Sequence, residues 1–272
     1  MPFIVDEEQI GELRTQFLRR ASQSPELYHE KDIRNVKESD WTVKRFLYYN
    51  ENDMDKSLEH MDNAMRWRKE YGVNDKTEAD LPYEFVTAGA VFPGYEDNRG
   101  RIMIFFRVKV NRKIPELQDY FRQFVIGVIN RVDEATGESG YGFVFDISGV
   151  GYKNVDLDFI QFLISTVRLA FPCGMRLLIA YNVPRLLRPL WSGIKLMFGQ
   201  HARFVKFANG KEILKYIPAK GVPKYMGGDN GEDFTRPPPG VELKSVREFA
   251  PQYGFTEADV KKYMEMFEKD VK

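Results

Sequence analysis

Few side chains in this sequence could carry chemistry. There are three histidines, His29, His60 and His201, and one cysteine, Cys173. No histidine has a second good ligand at i+3 or i+4, the spacing that puts two metal ligands on one helix face, and only weak carboxylate neighbours stand nearby. Each sits in a charged or polar stretch, which predicts a solvated surface position. Gly149-Val150-Gly151 follows a strand-like run, but a dinucleotide-binding turn needs a further glycine where Asn154 stands. Ser148 lacks the Gly-x-Ser-x-Gly elbow that would expose a nucleophile. Nothing in the sequence brings a histidine to Cys173, and a cysteine without a base is usually an inert small hydrophobe. A single cysteine also rules out an internal disulfide framework and suits a reducing compartment. The expectation is a protein that is not an enzyme, with no metal and no catalytic cofactor.

The chemistry that is present is recognition by charge and apolar surface. The chain has 40 basic and 40 acidic residues, so no global field draws it to a polyanion. Between Arg185 and Lys224, however, stand nine basic residues and one acid, a local balance of +8. The cations include Arg185, Arg188, Lys195, Arg203 and Lys206. Such a patch fits membrane phosphates or a nucleic acid, or is a solvated face. In the same stretch Leu187, Leu190, Trp191, Ile194, Met197 and Phe198 recur at helical spacing, with Arg188, Ser192 and Lys195 on other faces. This is an amphipathic helix with a tryptophan and a basic flank, which packing in a core would also explain; nucleic acid is not an expected partner. Pro184 and Pro189 are tolerated only in a first helical turn, so they mark a hinge before it.

The elements that must position this helix follow from periodicity. The apolar fraction of 43% over 272 residues supports a large core. Residues from about 7 to 72 read as helical and stop at Gly72. From about 88 the pattern changes to strand-like runs, Ala88 to Phe92, Arg101 to Val108, Tyr141 to Ile147, Met175 to Tyr181 and Phe204 to Phe207. Helices lie between them. One shows Leu117, Tyr120, Phe121, Phe124, Val128 and Val132 on a single face, and Val155 to Ala170 is apolar nearly all round, as expected for a central helix. Strands alternating with helices imply an α/β fold with a mainly parallel sheet of about five strands covered by helices, preceded by a small all-helical lobe.

Pro237, Pro238 and Pro239 cannot continue a helix and predict a spacer; beyond them Thr256 and Asp259 form a capping-box pattern before Val260, Tyr263, Met264, Phe267 and Val271. That helix either braces the main domain or binds a protein partner, whose identity stays unknown. The expected divisions are 1–75 for the helical lobe, 76–232 for the α/β domain and 233–272 for spacer and helix. No uncharged run approaches the roughly 18 residues of a spanning helix, and Met1 to Ile10 does not read as a secretory signal. The expected address is cytoplasmic, peripheral at membranes.

Five motifs in order give this reading a family. They are Asp97-Asn98-Arg99-Gly100-Arg101, Phe143-Val144-Phe145-Asp146-Ile147-Ser148-Gly149, Phe171-Pro172, Tyr181-Asn182-Val183-Pro184 and Val222-Pro223-Lys224-Tyr225-Met226-Gly227-Gly228. Together they resemble the CRAL-TRIO lipid-binding domain. Upstream, Asp40 to Leu47 and Trp67-Arg68 are similar to the helical lobe that precedes such domains, so the resemblance spans about residues 8 to 230. Within the family, Ser57 to Glu70, Val155 to Phe159 and Tyr225 to Gly228 are most similar to an endoplasmic-reticulum contact-site tether. Its second domain and membrane anchor are not in this sequence, so tethering is not carried over.

The resemblance implies a buried pocket floored by the sheet and gated by the helix after Asn182-x-Pro184, which opens at a membrane to admit a lipid or other hydrophobic ligand. It assigns the gate to Leu187, Leu190, Trp191, Ile194, Met197 and Phe198. Pocket walls would come from Ile102, Ile104 and Phe106 or their alternates, with Phe143, Phe145, Leu178 and Ala180. Headgroup or membrane contacts would come from Arg185, Arg188, Lys195, Arg203 and Lys206. In the phosphatidylinositol-transfer branch an acid follows the Tyr-Pro motif and a later lysine helps to hold the inositol phosphate; here those places are Cys173 and Arg203. Likewise an Arg-Phe-Leu-Arg-Ala-Arg pattern becomes Arg45-Phe46-Leu47-Tyr48-Tyr49-Asn50. These replacements weigh against phosphatidylinositol and leave a less polar lipid at least as well supported. The reading from another class is a protein-interaction scaffold with a collapsed pocket.

Overall fold

The computed structural model describes residues 5–77, 80–110, 114–236, 242 and 244–268. Two compact units emerge, one made of the chain up to Asp75 together with Phe162–Met175, the other of Lys76–Gln161 and Arg176 onward.

The first unit is helical, with α1 (Glu7–Gln23), α2 (Glu30–Glu38), α3 (Asp40–Tyr49) and α4 (Met54–Tyr71). Asp6 starts α1 with a capping box, accepting from the Gln9 amide at 2.8 Å, and α4 stops where Gly72 takes the left-handed conformation, φ 73°. Leu13, Phe17, Val43, Phe46 and Met61 form its core. The buried guanidinium of Arg68 is tolerated because Asp32, also buried, accepts from its Nε at 3.0 Å and Nη2 at 2.9 Å. Two histidines depart from the solvated surface expected of them. His29 caps α2, its Nδ1 accepting from the Lys31 amide. The ring of His60 packs edge-on against Phe46 and Tyr49, with Nε2 3.0 Å from the carbonyl of Leu169 and Nδ1 3.1 Å from the amide of Asn50. Burial pulls its pKa down, consistent with a neutral ring that donates to Leu169 and accepts from Asn50.

The second unit holds a five-stranded sheet in the order β1-β2-β3-β4-β5: β1 (Val91–Glu96), β2 (Ile102–Arg107), β3 (Tyr141–Asp146), β4 (Met175–Tyr181) and β5 (Val205–Ala208). β1 runs antiparallel to β2, whereas β2 is parallel to β3 and β4 to β5. The first strand lies three residues later than its expected start, because α5 (Glu84–Thr87) and the turn after it take up Ala88 and Gly89. Pro93 is accommodated since β1 is an edge strand, and the register slips between Pro93 and Glu96.

Side chains alternate across this sheet. Met103, Phe105, Val144, Leu177 and Ile179 face one cluster completed by Ile213, Ile217, Val222 and Met226. In that covering segment Gly228 has no substitute, because a Cβ there would sit 2.0 Å from the carbonyl oxygen of Val222. The opposite face carries Ile104, Phe106, Phe143, Phe145 and Leu178. Across it lies α6 (Gln118–Thr136), packed on β1, β2 and β3. The apolar segment expected from Val155 starts as α7 (Leu157–Ala170), with Asp156 accepting from the Phe159 amide at 3.0 Å.

Pro237, Pro238 and Pro239 lie outside the described residues, as do the side chain of Phe267 and all of Val271. The predicted capping box is formed, Thr256 and Asp259 each accepting from the other's amide at the start of α10 (Glu257–Glu268). A further helix, α9 (Val246–Tyr253), precedes it. Its first amide, that of Val246, donates to both carboxylate oxygens of buried Glu84, at 3.1 and 3.0 Å. Tyr253 of α9 packs on Tyr120 of α6, 4.2 Å between ring centroids, so this arm rests on the helix that covers the sheet.

Candidate ligand-binding cavity

Between the α6-covered face and the chain after β4 lies a cavity of about 110 Å³ within the second unit. That is several times the space one water needs, roughly 10–15 Å³. Its floor is Val91, Phe106, Phe145 and Leu178, one residue from each of β1 to β4. Phe106 and Phe145 are register partners and stack at 4.6 Å, so the floor is a continuous aromatic surface. Phe121 of α6 and Phe159 of α7 form one side, 5.5 Å apart, and Ile147, Val150 and Val155 of the β3–α7 loop form another. Arg107 borders the cavity too, but alternation along β2 turns its side chain to the other face, where the guanidinium lies over the ring of Tyr225 at 5.0 Å. Asp156 and Asn154 are the polar residues at the rim, and Asp156 is occupied: it caps α7 and accepts from Gln118 Nε2 at 2.8 Å.

The roof is the segment that follows β4. Asn182 takes a left-handed conformation, φ 51°, which an asparagine tolerates better than most residues. Three bonds hold it there: its main-chain amide donates to the carbonyl of Ala208, its Nδ2 donates to Ser148 Oγ, and its Oδ1 accepts from the Gly210 amide. The chain then makes a single 3-10 turn, Arg185–Leu187, and enters α8 (Arg188–Phe198) with Pro189 in its first turn; α8 ends at Gly199, φ 52°. Leu187, Leu190, Trp191, Ile194 and Phe198 line the cavity from above, together with Val183.

Of the wall residues singled out from sequence, Phe106, Phe145 and Leu178 line the cavity and Ile102, Ile104, Phe143 and Ala180 do not. Lining side chains sit toward the carboxyl ends of β2 and β3, whereas Ile102, Ile104 and Phe143 stand nearer the amino ends. Ala180 is buried, but its methyl ends close to the sheet. In α8, Met197 is half-buried and outside the lining. Val91, Phe121, Val150, Val155, Phe159 and Ile160 line it too, and none is among the wall residues expected from sequence. Phe121 was visible on the apolar face of α6, and Phe159 and Ile160 in the segment apolar all round.

The outer side of the roof differs in character. Leu186 is 61% exposed, Leu196 82% and Phe207 50%, and Phe207 meets Trp191 edge-on at 5.2 Å. Around them Arg185, Arg188, Lys195, Arg203 and Lys206 are all exposed, and none forms an ion pair among the described residues. Exposed cations and exposed apolar groups thus share the same stretch of chain. Among the described residues no cluster of His, Cys, Asp or Glu could hold a metal, and no helix is long and apolar enough to cross a membrane.

The profile of the CRAL/TRIO domain matches residues 87–228, more than half of the chain and every strand of the sheet. The chain belongs to the CRAL/TRIO family. It is 21% identical over 200 residues to human tyrosine-protein phosphatase non-receptor type 9, spanning 71% of this chain and 34% of that protein. It is 20% identical over 212 residues to phosphatidylinositol transfer protein CSR1 of Eremothecium gossypii, spanning 70% of this chain and 47% of that one. The chain thus covers about a third to a half of the length of these curated relatives. The crystal structure of Sfh5 shares the fold, with a TM-score of 0.64 over 93% of this chain and 99% of that one, at 12% identity.

The CRAL/TRIO motifs have visible physical roles. Asp97 is buried; its Oδ1 accepts from the amides of Arg99 and Arg101 at 2.8 and 3.0 Å, and its Oδ2 from the Arg101 guanidinium. Burial alone would raise its pKa, but these bonds outweigh burial and hold the carboxyl below its usual range. The Asp-x-x-Gly-Arg string therefore closes the β1–β2 turn, and Gly100, φ 75°, supplies the backbone that turn requires.

Proposed function

We propose that this protein binds a lipid or other small hydrophobic molecule in the cavity beneath α8, and that α8 is a gate which opens at a membrane surface. The observation that carries this reading is the two-sided character of α8. Its inner residues Leu190, Ile194 and Phe198, with Leu187 of the turn before it, close an apolar cavity, while Leu196 and its neighbours stand in solvent among exposed cations. Such a helix can exchange its inner contacts for acyl chains at little net cost, and each nearby cation adds about 1 kcal/mol at an anionic surface. Membership of the CRAL/TRIO family supports a hydrophobic cargo.

Phosphatidylinositol transfer is the activity named for the Eremothecium relative, and transfer of a cargo suits a gated cavity here. Phosphatidylinositol comes with that name, but Cys173, where the resemblance implies an acid, favours a less polar cargo. The phosphatase activity named for the human relative is not carried over, since the match spans only a third of that protein; binding without catalysis is the proposal. A cytoplasmic protein visiting membranes peripherally fits these parts. Native mass spectrometry of the purified protein, with transfer of a fluorescent lipid between liposomes, tests the reading. A co-purified lipid and catalysed transfer are expected; a consistently empty protein that moves no lipid would overturn it and leave the scaffold reading.

A further inference from the structure

No described residue of the C-terminal arm lines the cavity, yet the arm grips the elements that hold one of its walls. That wall is Phe121 of α6, which faces the cavity beside Phe159. Phe121 is met in turn by Phe85 of α5, edge-on with 5.6 Å between ring centroids. The residue before each of these two phenylalanines is held by α9. Glu84 accepts from the Val246 amide through both carboxylate oxygens, and Tyr120 packs on Tyr253 at 4.2 Å. The main chain adds a further tie, the Tyr83 amide donating to the carbonyl of Lys244 at 2.9 Å. From α5 the chain runs in a short turn to Ala90 and Val91, which also line the cavity. The arm is seated by buried Val246, Phe249 and Ala250, and by Tyr263 of α10, whose hydroxyl bonds to Glu116 in the turn before α6 and draws that carboxyl below its usual range. Close-packed interiors pass a displacement on to their neighbours. Undocking the arm would therefore loosen the supports of Phe121 and of the start of β1 together.

We propose that the C-terminal arm is a working part of the binding site, with Glu84, Tyr120 and Tyr253 as positioning residues that set Phe121 against the cargo, so that arm docking and cargo loading favour each other. This rests on the lipid-binding reading and adds a second, linked site to it. The coupling is reciprocal: whatever factor docking adds to cargo affinity, cargo adds to docking. The test is amide hydrogen exchange on the full chain with two probes whose emission reports burial, cis-parinaric acid and pyrenedecanol. In the wild type, saturating probe should slow exchange across Val246–Tyr253 by about fivefold or more, the low end of coupling between linked sites, and leave α1 within about twofold. No slowing in α9 would overturn the coupling, and so would an equal slowing in α1, the mark of general stabilisation. V246P then removes the amide that Glu84 accepts with the helix start intact, since proline suits a first helical turn and Ser245 before it is already extended, ψ 163°. Y253L keeps apolar bulk but removes the ring on Tyr120, and K261A, at an exposed position of α10, is the control. Probe affinity should fall in the same order as the protection of α9, with K261A unchanged. A variant with unprotected α9 that still binds within about twofold of wild type would overturn the role of the arm. If neither variant loosens α9, the wild-type exchange result decides alone. If neither probe binds the wild type, the lipid-binding reading itself fails.

Discussion

The hydroxyl of Tyr152 donates to the main-chain carbonyl of Leu186 across 2.9 Å. Tyr152 belongs to the β3–α7 loop and Leu186 to the turn that leads into α8, so this bond ties together two walls of the cavity. Tyr152 is 56% exposed, and such a bond is worth on the order of 1 kcal/mol or less. If α8 is the gate, Tyr152→Phe removes a restraint on its opening without touching the lining. Release of a bound fluorescent lipid to acceptor liposomes, followed by stopped flow, should then accelerate a few-fold while the amount bound at saturation stays the same. An unchanged release rate would show that the bond does not hold the gate.

Leu196 is the most exposed apolar side chain of α8, and its replacement should cost the fold little, about 0.5 kcal/mol or less. Leu196→Asp is therefore a clean probe of the outer face. Sedimentation with anionic liposomes should drop sharply while the thermal midpoint holds. Arg185→Glu with Lys195→Glu should lower the same binding by at least tenfold, at about 1 kcal/mol for each cation, and added salt should do likewise. Salt-independent binding would point instead to apolar insertion alone.

Glu84 makes the attachment of the C-terminal arm depend on pH. Its carboxyl is pushed up to about 7, first by burial and then by the nearby charge of Glu248, against the hydrogen bonds it accepts. A carboxyl whose folded pKa exceeds its unfolded one stabilises the fold fully below the unfolded value of 4.5, and this contribution is lost as pH rises through 7. Glu84→Gln mimics the protonated form. Denaturant melts should find the variant more stable than wild type at pH 8, by on the order of 2–3 kcal/mol, with the gap closing toward pH 5. A gap that is constant with pH would mean Glu84 does not titrate in this range.

What could be read from sequence follows the range of the interaction concerned. Alternation in β2 and β3 separates Phe106 and Phe145 from Phe105 and Val144 without tertiary information, and the five strands follow from their spacing. How far along that face the cavity lies is set by where α6 and the β3–α7 loop come to rest. For that reason Ile104 and Phe143 read as equivalent to Phe106 and Phe145 although only the latter pair lines it. His60 misled in the same way, since charged sequence neighbours conceal the aromatic rings of α3 that shield it. In α9 local signals conflict. Ser245 and Glu248 form a capping box, but Pro251 lies within the helix, and the arm's contacts with Glu84 and Tyr120 settle the outcome.

Ile160 offers a direct way to separate the cavity from the surface. It lies in the first turn of α7, lines the cavity and is only half-buried, so a larger side chain there meets space before it meets packed neighbours. Ile160→Trp should occupy much of the volume that a cargo chain would take. Filling an empty apolar cavity is usually neutral or mildly favourable when the rotamer fits, whereas overpacking a close-packed core costs about 1–3 kcal/mol. A thermal midpoint near or above that of the lipid-free wild type is therefore expected. Lipid loading by native mass spectrometry should fall to background, yet sedimentation with anionic liposomes should persist, because Leu196 and the cations of the outer face are untouched. Full loading in a folded Ile160→Trp variant would place the cargo elsewhere in the molecule. Loss of liposome binding together with loading would mean that α8 needs cargo beneath it to present its outer face.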